Sequence, residues 1–378
     1  MMKILIRIMA VLLCLMLFMS TAFAADETIE NKIKETGKAL SQIGGSRNVI
    51  SDSVNFPPGN SLTDWTVIAL AFSGTEGDYA KYADSLRKHI EQKYAEEGFV
   101  NDRKATEYHR IILTALALGE DPSAFGKNPD GQSIDLLNDG IFNFVGGNLG
   151  KQGLNGYCYG LIALNASGVT VPENAEFTEE TIAASILSAQ EADGGFGLIP
   201  GSSDADMTAM AIQALAPYRA EYPEEIEAAV NCLAGMMNDS CGFSADGSDS
   251  AESIAQVIIA LCSLGIDPQE DMRFVRGRTD LVSSLERFRN DDGTYRHMTD
   301  STENDCYATA QSLLALIALN KLQDHQAGLY SLENYRGPYQ RASAEWIYIL
   351  TAAIVVIIAG IIVVILRKRK GNNGKTYR

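Results

Sequence analysis

The chain has 378 residues, with 48 acidic side chains against 31 basic ones and a formal net charge of −17. That balance excludes a nucleic-acid surface, because phosphate binding needs a basic footprint. It equally disfavours adsorption to anionic lipid or acidic polymers.

From the N-terminus, Lys3 and Arg7 are followed by an apolar run and then Ala22-Phe23-Ala24. Cationic, apolar and small-x-small regions in that order predict a secretory signal over residues 1–24, cleaved after Ala24. Two cations fall in that segment and six follow Leu366, so residues 25–345 hold 23 basic and 48 acidic side chains. The expected extracellular part is therefore strongly acidic.

A phrase then recurs six times: a polar, often glycine-bearing turn and an apolar helix ending in Ala-Leu. The copies are SLTDWTVIALAFSG, TEYHRIILTALALG, NGYCYGLIALNASG, DMTAMAIQALAPY, ESIAQVIIALCSLG and YATAQSLLALIAL. Their Ala-Leu pairs begin at Ala69, Ala115, Ala163, Ala214, Ala260 and Ala315. Between them, YAKYADSLRKHIEQKY, EETIAASILSAQ, EEIEAAVNCLAGMM and DLVSSLERFR are amphipathic with a period of 3.6. Each unit reads as a helix pair, one polar on its outer face and one apolar nearly all round. Six pairs predict an all-α domain of twelve helices over 25–325, with no strand-rich stretch. Sequences of this kind form open solenoids with polar end caps or closed rings. No such caps are evident, which favours an α/α toroid with six inner and six outer helices.

Five cysteines follow the signal, Cys158, Cys232, Cys241, Cys262 and Cys306. An odd number without CxxC spacing is neither a disulfide framework nor a zinc signature. Residues 326–345 read as a linker whose Tyr330, Tyr335 and Tyr339 can pack back on the ring. Trp346 to Leu366 carries no charge and is long enough to cross a bilayer. Arg367 to Lys370 follows directly, which predicts a single-pass transmembrane helix over 346–366, a cytoplasmic tail over 367–378 and the toroid outside the cell.

The stretch QEADGGFGLIPGSSDADMTAMAIQAL, residues 190–215, resembles the Q-x-x-D-G-G-F-G repeat of the prenyltransferase β-subunit and squalene-cyclase superfamily. CGFSADGSDSAESIAQVIIALCSLGIDP and DDGTYRH look like further copies, and the resemblance spans roughly residues 30–325. It implies an α/α toroid but not one activity, because the superfamily includes toroids that only bind, among them the helical domain of the cobalamin carriers. The phrases DADMTAMAIQALAPY and ESIAQVIIALCSLGIDP look most like secreted, surface-anchored bacterial members of the group.

In a toroid, the repeat register picks out cavity residues. Eight positions before each Ala of Ala-Leu stand Ser61, Glu107, Asn155, Asp206, Glu252 and Tyr307. Four positions before stand Trp65, Ile111, Tyr159, Met210, Gln256 and Gln311. The two sets share a helix face. All of the first set carry a polar atom on otherwise apolar helices and would ring one mouth, with the second set one turn deeper. From these, Trp65, Glu107, Asn155, Tyr159, Asp206, Met210, Glu252, Gln256, Tyr307 and Gln311 are the candidate ligand-binding residues. The competing reading makes Glu107, Asp206 and Glu252 ordinary first-turn caps or dipole partners. That reading does not account for Trp65, Gln256 and Gln311.

The resemblance also implies enzyme readings. Terpenoid cyclases use a D-x-D-D-T-A segment whose middle aspartate protonates an alkene or epoxide. Here Asp204-Ala205-Asp206-Met207-Thr208-Ala209 puts Asp206 in the donor position, with Asp204 beside it and Met207 in place of a supporting carboxylate. Protein prenyltransferases need zinc on Asp, Cys and His. Asn304-Asp305-Cys306-Tyr307 and Glu107-Tyr108-His109 match that pattern only in part, and no metal site is expected. A carbohydrate enzyme would use Asp206, Glu252 or Glu107 as acid and base, but two tryptophans supply few sugar platforms. The expected function is a membrane-anchored, cell-surface toroid that binds a small or amphipathic ligand, with a corrinoid as the class implied by kinship to the cobalamin carriers. Surface adhesion through a protein partner, a degenerate cyclase and a carbohydrate-active enzyme are the alternatives. The cofactor is left unassigned.

Overall fold

The computed structural model describes residues 28–245, 248–333 and 335–339. The expected signal, transmembrane helix and basic tail lie outside the described residues. Among the described residues no helix is long and apolar enough to cross a membrane.

Eleven α-helices follow in chain order: α1 (Ile29–Ser41), α2 (Ser61–Ser73), α3 (Tyr79–Glu96), α4 (Ala105–Leu118), α5 (Asn155–Ser167), α6 (Glu179–Leu187), α7 (Ala205–Leu215), α8 (Pro223–Met236), α9 (Ala251–Ser263), α10 (Leu281–Glu286) and α11 (Cys306–Gln323). The six Ala-Leu helices α2, α4, α5, α7, α9 and α11 are the inner ones. Each packs on the next, and α11 packs on α2, so the ring is closed. The alanine of every Ala-Leu pair, from Ala69 to Ala315, is fully buried. A methyl group at that point lets neighbouring helices approach closely, while Leu70, Leu164, Leu215 and Leu261 fill the core beside it. Each buried leucine contributes about 1.5–3 kcal/mol.

Helix starts are fixed by side-chain caps. Asn60, Asp204, Ser250 and Asp305 accept from backbone N–H groups in the first turns of α2, α7, α9 and α11. Gly74, Gly119 and Gly168 end α2, α4 and α5 in the left-handed conformation, where a side chain would be strained.

The outer layer differs from six regular helices. α1, α3, α6, α8 and α10 fill five places. Between α4 and α5, the outer place holds a five-residue π-helical turn at Asn138–Phe142 that packs on both inner helices. There Gly140 lies so close to Tyr108 that a Cβ would sit 2.4 Å from its Cβ. The Tyr94 hydroxyl donates to Asp139 across 2.6 Å, tying α3 to the turn. Strand structure among the described residues is a two-residue hairpin, Ser244–Ala245 with Ser248–Asp249, antiparallel with Ser244 opposite Asp249.

The glycine-rich turns share one construction. In the fourth repeat, the Thr208 hydroxyl accepts from the Phe196 N–H at 2.9 Å and donates to its carbonyl at 3.1 Å. Thr309 does the same to Tyr295 in the sixth, at 2.9 and 3.2 Å. Phe196 and Tyr295 are thereby held buried beneath the ring's N-terminal edge, and Phe243 is buried in the fifth repeat without such a clasp among the described residues.

The segment after α11 crosses the opposite end of the ring. Lys321 Nζ donates to the carbonyls of Gly328, Leu329 and Ser331. Phe72 packs edge-on against Tyr330 and Tyr335, with ring centroids 6.4 and 5.3 Å away. The Tyr335 hydroxyl donates to the carbonyls of Ala71 and Ala117, at the ends of α2 and α4. Tyr339 bonds Glu120. The stretch read as a linker is therefore a strap over the C-terminal mouth, with its three tyrosines docked. All five cysteines among the described residues are free thiols.

Candidate functional site

At the N-terminal mouth of the ring lies a cavity of about 310 Å³. It is lined by all ten candidate residues chosen from the repeat register: Trp65, Glu107, Asn155, Tyr159, Asp206, Met210, Glu252, Gln256, Tyr307 and Gln311. Ser61, Thr106 and Arg110 complete the wall. Ile111, the remaining member of the second register, is buried in the core instead.

None of the three carboxylates is a side-chain cap, although each stands in the first turn of its helix, where it complements the dipole. The caps of α7 and α9 are Asp204 and Ser250, each two residues before Asp206 and Glu252, and α4 begins at Lys104 without a side-chain cap. Asp204 accepts from the Met207 N–H at 2.8 Å and does not line the cavity. The two aspartates of the DxD segment thus have separate tasks, one holding the helix end and one facing the cavity.

Across the deeper level runs an amide chain. Gln213 Nε2 donates to Gln256 Oε1 at 2.9 Å, and Gln256 Nε2 donates to Gln311 Oε1 at 2.6 Å. All three are at least nine-tenths buried, and together they link α7, α9 and α11. Trp65 and Tyr159 meet at 5.5 Å with their planes inclined by 53°. Ser61 and Tyr307 share a 2.8 Å hydrogen bond that joins the first repeat to the sixth at the mouth.

Arg110 carries the cavity's one guanidinium. Its Nε donates to Asp64 at 2.9 Å, and its Nη2 donates to Glu107 at 2.6 Å and to the Gly59 carbonyl at 2.9 Å. Asp64 is fully buried and also accepts from the Tyr82 hydroxyl and the Gly59 N–H. Burial raises the Asp64 pKa, and the Arg110 charge draws it back down. Repeat counting misses Arg110, although a cation in the middle of the apolar run TEYHRIILTALALG is itself a signal.

Burial also raises the pKa of Asp206; the Ser253 hydroxyl opposes this shift and nearby Asp204 adds to it. Glu252 is raised by burial too, and His297 opposes the rise. His297 Nδ1 lies 2.8 Å from both Glu252 oxygens at the rim. Asp206 Oδ1 and Asn155 Oδ1 are shut off from solvent without a hydrogen-bond partner among the described residues. Such orphaned acceptors carry a desolvation cost of about 1–3 kcal/mol each.

The residues of the partial zinc pattern are occupied elsewhere. Asp305 caps α11, Cys306 lies 3.4 Å from the Thr66 hydroxyl, and buried His109 bonds the Gly140 carbonyl through Nε2 at 3.0 Å. Among the described residues no group of three or more His, Cys, Asp or Glu side chains is placed to hold a metal ion.

The sequence pattern of the prenyltransferase α/α toroid domain matches residues 149–226 and again 208–335. This chain has the prenyltransferase-type toroid fold. A solved structure of Candida albicans protein geranylgeranyltransferase-I complexed with GGPP superposes with a TM-score of 0.50 at 13% identity, covering 76% of this chain and 91% of that one. A structure of a protein from Actinoplanes superposes with a TM-score of 0.41 at 13% identity, covering 68% and 89%. No curated protein matches the sequence. At these identities the likeness concerns the fold of the toroid, and its chemistry rests on the side chains that line the cavity.

Proposed function

We propose that this protein is a surface receptor: a toroid held outside the cell by the C-terminal apolar helix, binding a small or amphipathic ligand in its N-terminal cavity. One observation carries the reading. Eleven of the twelve residues at the two repeat-register positions converge on a single cavity, in a ring whose inner helices are otherwise largely apolar. A concavity in which convergent polar groups meet aromatic and methionine surface suits a small-molecule site.

Size narrows the ligand. A volume of about 310 Å³ is at the lower end of the range of roughly 300–1,000 Å³ for such sites. A corrin macrocycle is too large to be enclosed, so a corrinoid would enter by one edge with a partner chain covering the rest. A compact ligand, or the head group of an amphipathic one, fits better. Catalysis in the manner of a cyclase finds little support, because Asp204 is engaged as a cap and Met207 is buried.

The test is native mass spectrometry of the full chain purified in detergent from its own host membranes. A reproducible mass excess, abolished by Gln256→Leu, is the expected result. A bare mass before and after incubation with host extract would overturn the ligand reading and favour adhesion to a protein partner.

A further inference from the structure

We infer that the N-terminal cavity recognises a small organic ammonium ion. This rests on the ligand-binding reading above and adds the chemical class.

Charge is the first argument. Glu107, Asp206 and Glu252 project from three different inner helices into the same cavity. Arg110 is already paired with two carboxyl groups, Asp64 through Nε and Glu107 through Nη2, so its charge is largely spent within the wall. Including Asp64 behind it, four carboxyl groups face one guanidinium and, at the rim, the His297 ring on Glu252. A phosphate, diphosphate or carboxylate would enter against that field, and in a confined site the repulsion is scarcely screened.

Unmet hydrogen bonding is the second. Asp206 Oδ1 and Asn155 Oδ1, on adjacent helices α7 and α5, are both acceptors lacking a donor among the described residues. Gln311, only 5% exposed, accepts from Gln256 through Oε1. Its amide nitrogen has no donor contact among the described residues, which suits a hydroxyl or carbonyl on the same ligand.

The third is the opposite wall. Trp65 on α2 stands three helices round the ring from Asp206 on α7, and Tyr159 packs beside it. An ammonium group between an aromatic face and a carboxylate is held by both. Met210 lies on the wall and offers a soft apolar contact for methyl or methylene groups.

The experiment uses the full chain in detergent with Trp346→Phe, which leaves Trp65 as the one tryptophan and a reporter inside the cavity. Three probes are titrated by tryptophan fluorescence and calorimetry: choline, its uncharged carbon isostere 3,3-dimethyl-1-butanol, and inorganic pyrophosphate. Choline is expected to perturb Trp65 and bind at least tenfold more tightly than the isostere, roughly the value of one charge-assisted contact. Asp206→Asn, confirmed folded by its thermal melt, should weaken choline about tenfold and leave the isostere unchanged. Equal binding of choline and isostere, or tighter binding of pyrophosphate, overturns the ammonium inference while the cavity reading stands. Silence of Trp65 towards all three probes, together with a bare native mass, overturns both.

Discussion

The Asp64–Arg110 pair allows a quantitative test of what holds the mouth in shape. Replacing Arg110 by Met removes three hydrogen bonds and strands Asp64, which is fully buried. Breaking a buried pair from one side costs about 3–5 kcal/mol, since the remaining charge has no counterion. With an unfolding entropy of about 2.1 cal/mol/K per residue over roughly 310 residues, that is a fall in Tm of about 5–8 °C. Removing the whole set, as Asp64→Leu, Tyr82→Phe and Arg110→Met together, eliminates the stranded charge and the Tyr82 hydroxyl that donates to it at 2.7 Å. What remains is the Gly59 N–H and carbonyl without partners, a cost of about 1–3 kcal/mol. The triple variant should therefore be more stable than Arg110→Met alone. Urea titration and thermal melting of the detergent-solubilised chain, followed by far-ultraviolet circular dichroism, measure both. An additive result, with the triple variant less stable than any single one, would refute the view that desolvated charge dominates at this position.

Three further outcomes follow from groups already described. His109 is fully buried and its pKa is pushed down to about 4 by burial, so it stays neutral in the fold while the unfolded chain takes up a proton below about 6.5. Stability should hold above that value and fall by up to about 3 kcal/mol as pH drops towards 4; urea midpoints across pH 4–7 should lose that slope in His109→Gln. Asp206 is shifted the other way, so its ionised form opposes folding, and the stability it lends at low pH is lost as pH rises through its raised value. Asp206→Asn should accordingly melt higher at neutral pH, by about 0.5–2 kcal/mol, with no difference once the pH is below the ordinary carboxylate range; a neutral-pH loss would contradict this. Gly337 lies where a Cβ would come within 2.0 Å of the Leu118 carbonyl. Gly337→Ala should lift the strap, and limited chymotrypsin digestion should cleave beside Tyr335 and Tyr339 at least about tenfold faster, as expected for a segment whose local opening becomes easier by over 1 kcal/mol.

Much of this architecture is legible from one periodic signal. The Ala-Leu pairs mark where helices touch, and counting back four and eight positions stays on one face, so ten cavity residues could be found without coordinates. The method works because the counted positions of five of the six inner helices all face the cavity, Ile111 being the exception. It fails where local sequence departs from the repeat. LNDGIF has no 3.6 period, and the π-helical turn it forms is dictated by Tyr108 and Tyr94 rather than by its own propensity. Arg110 stands off the counted positions, one residue before Ile111, and reaches the cavity through its length. The second turn of the family, CGF, hides another departure: Cys241 takes φ 57° where the fourth and sixth repeats have Gly194 and Gly293. The strap was readable only as three tyrosines, because its partners Ala71 and Ala117 lie more than 200 residues away in sequence.

The strap makes the toroid a cup and not a conduit. With Tyr330 and Tyr335 seated across the far end, whatever occupies the cavity arrives and departs through the same opening. The rim groups Ser61, Tyr307, Glu252 and His297 stand at that single doorway, so for the ligand proposed above they would set how fast it exchanges, while the deeper amides and aromatics would set which one stays.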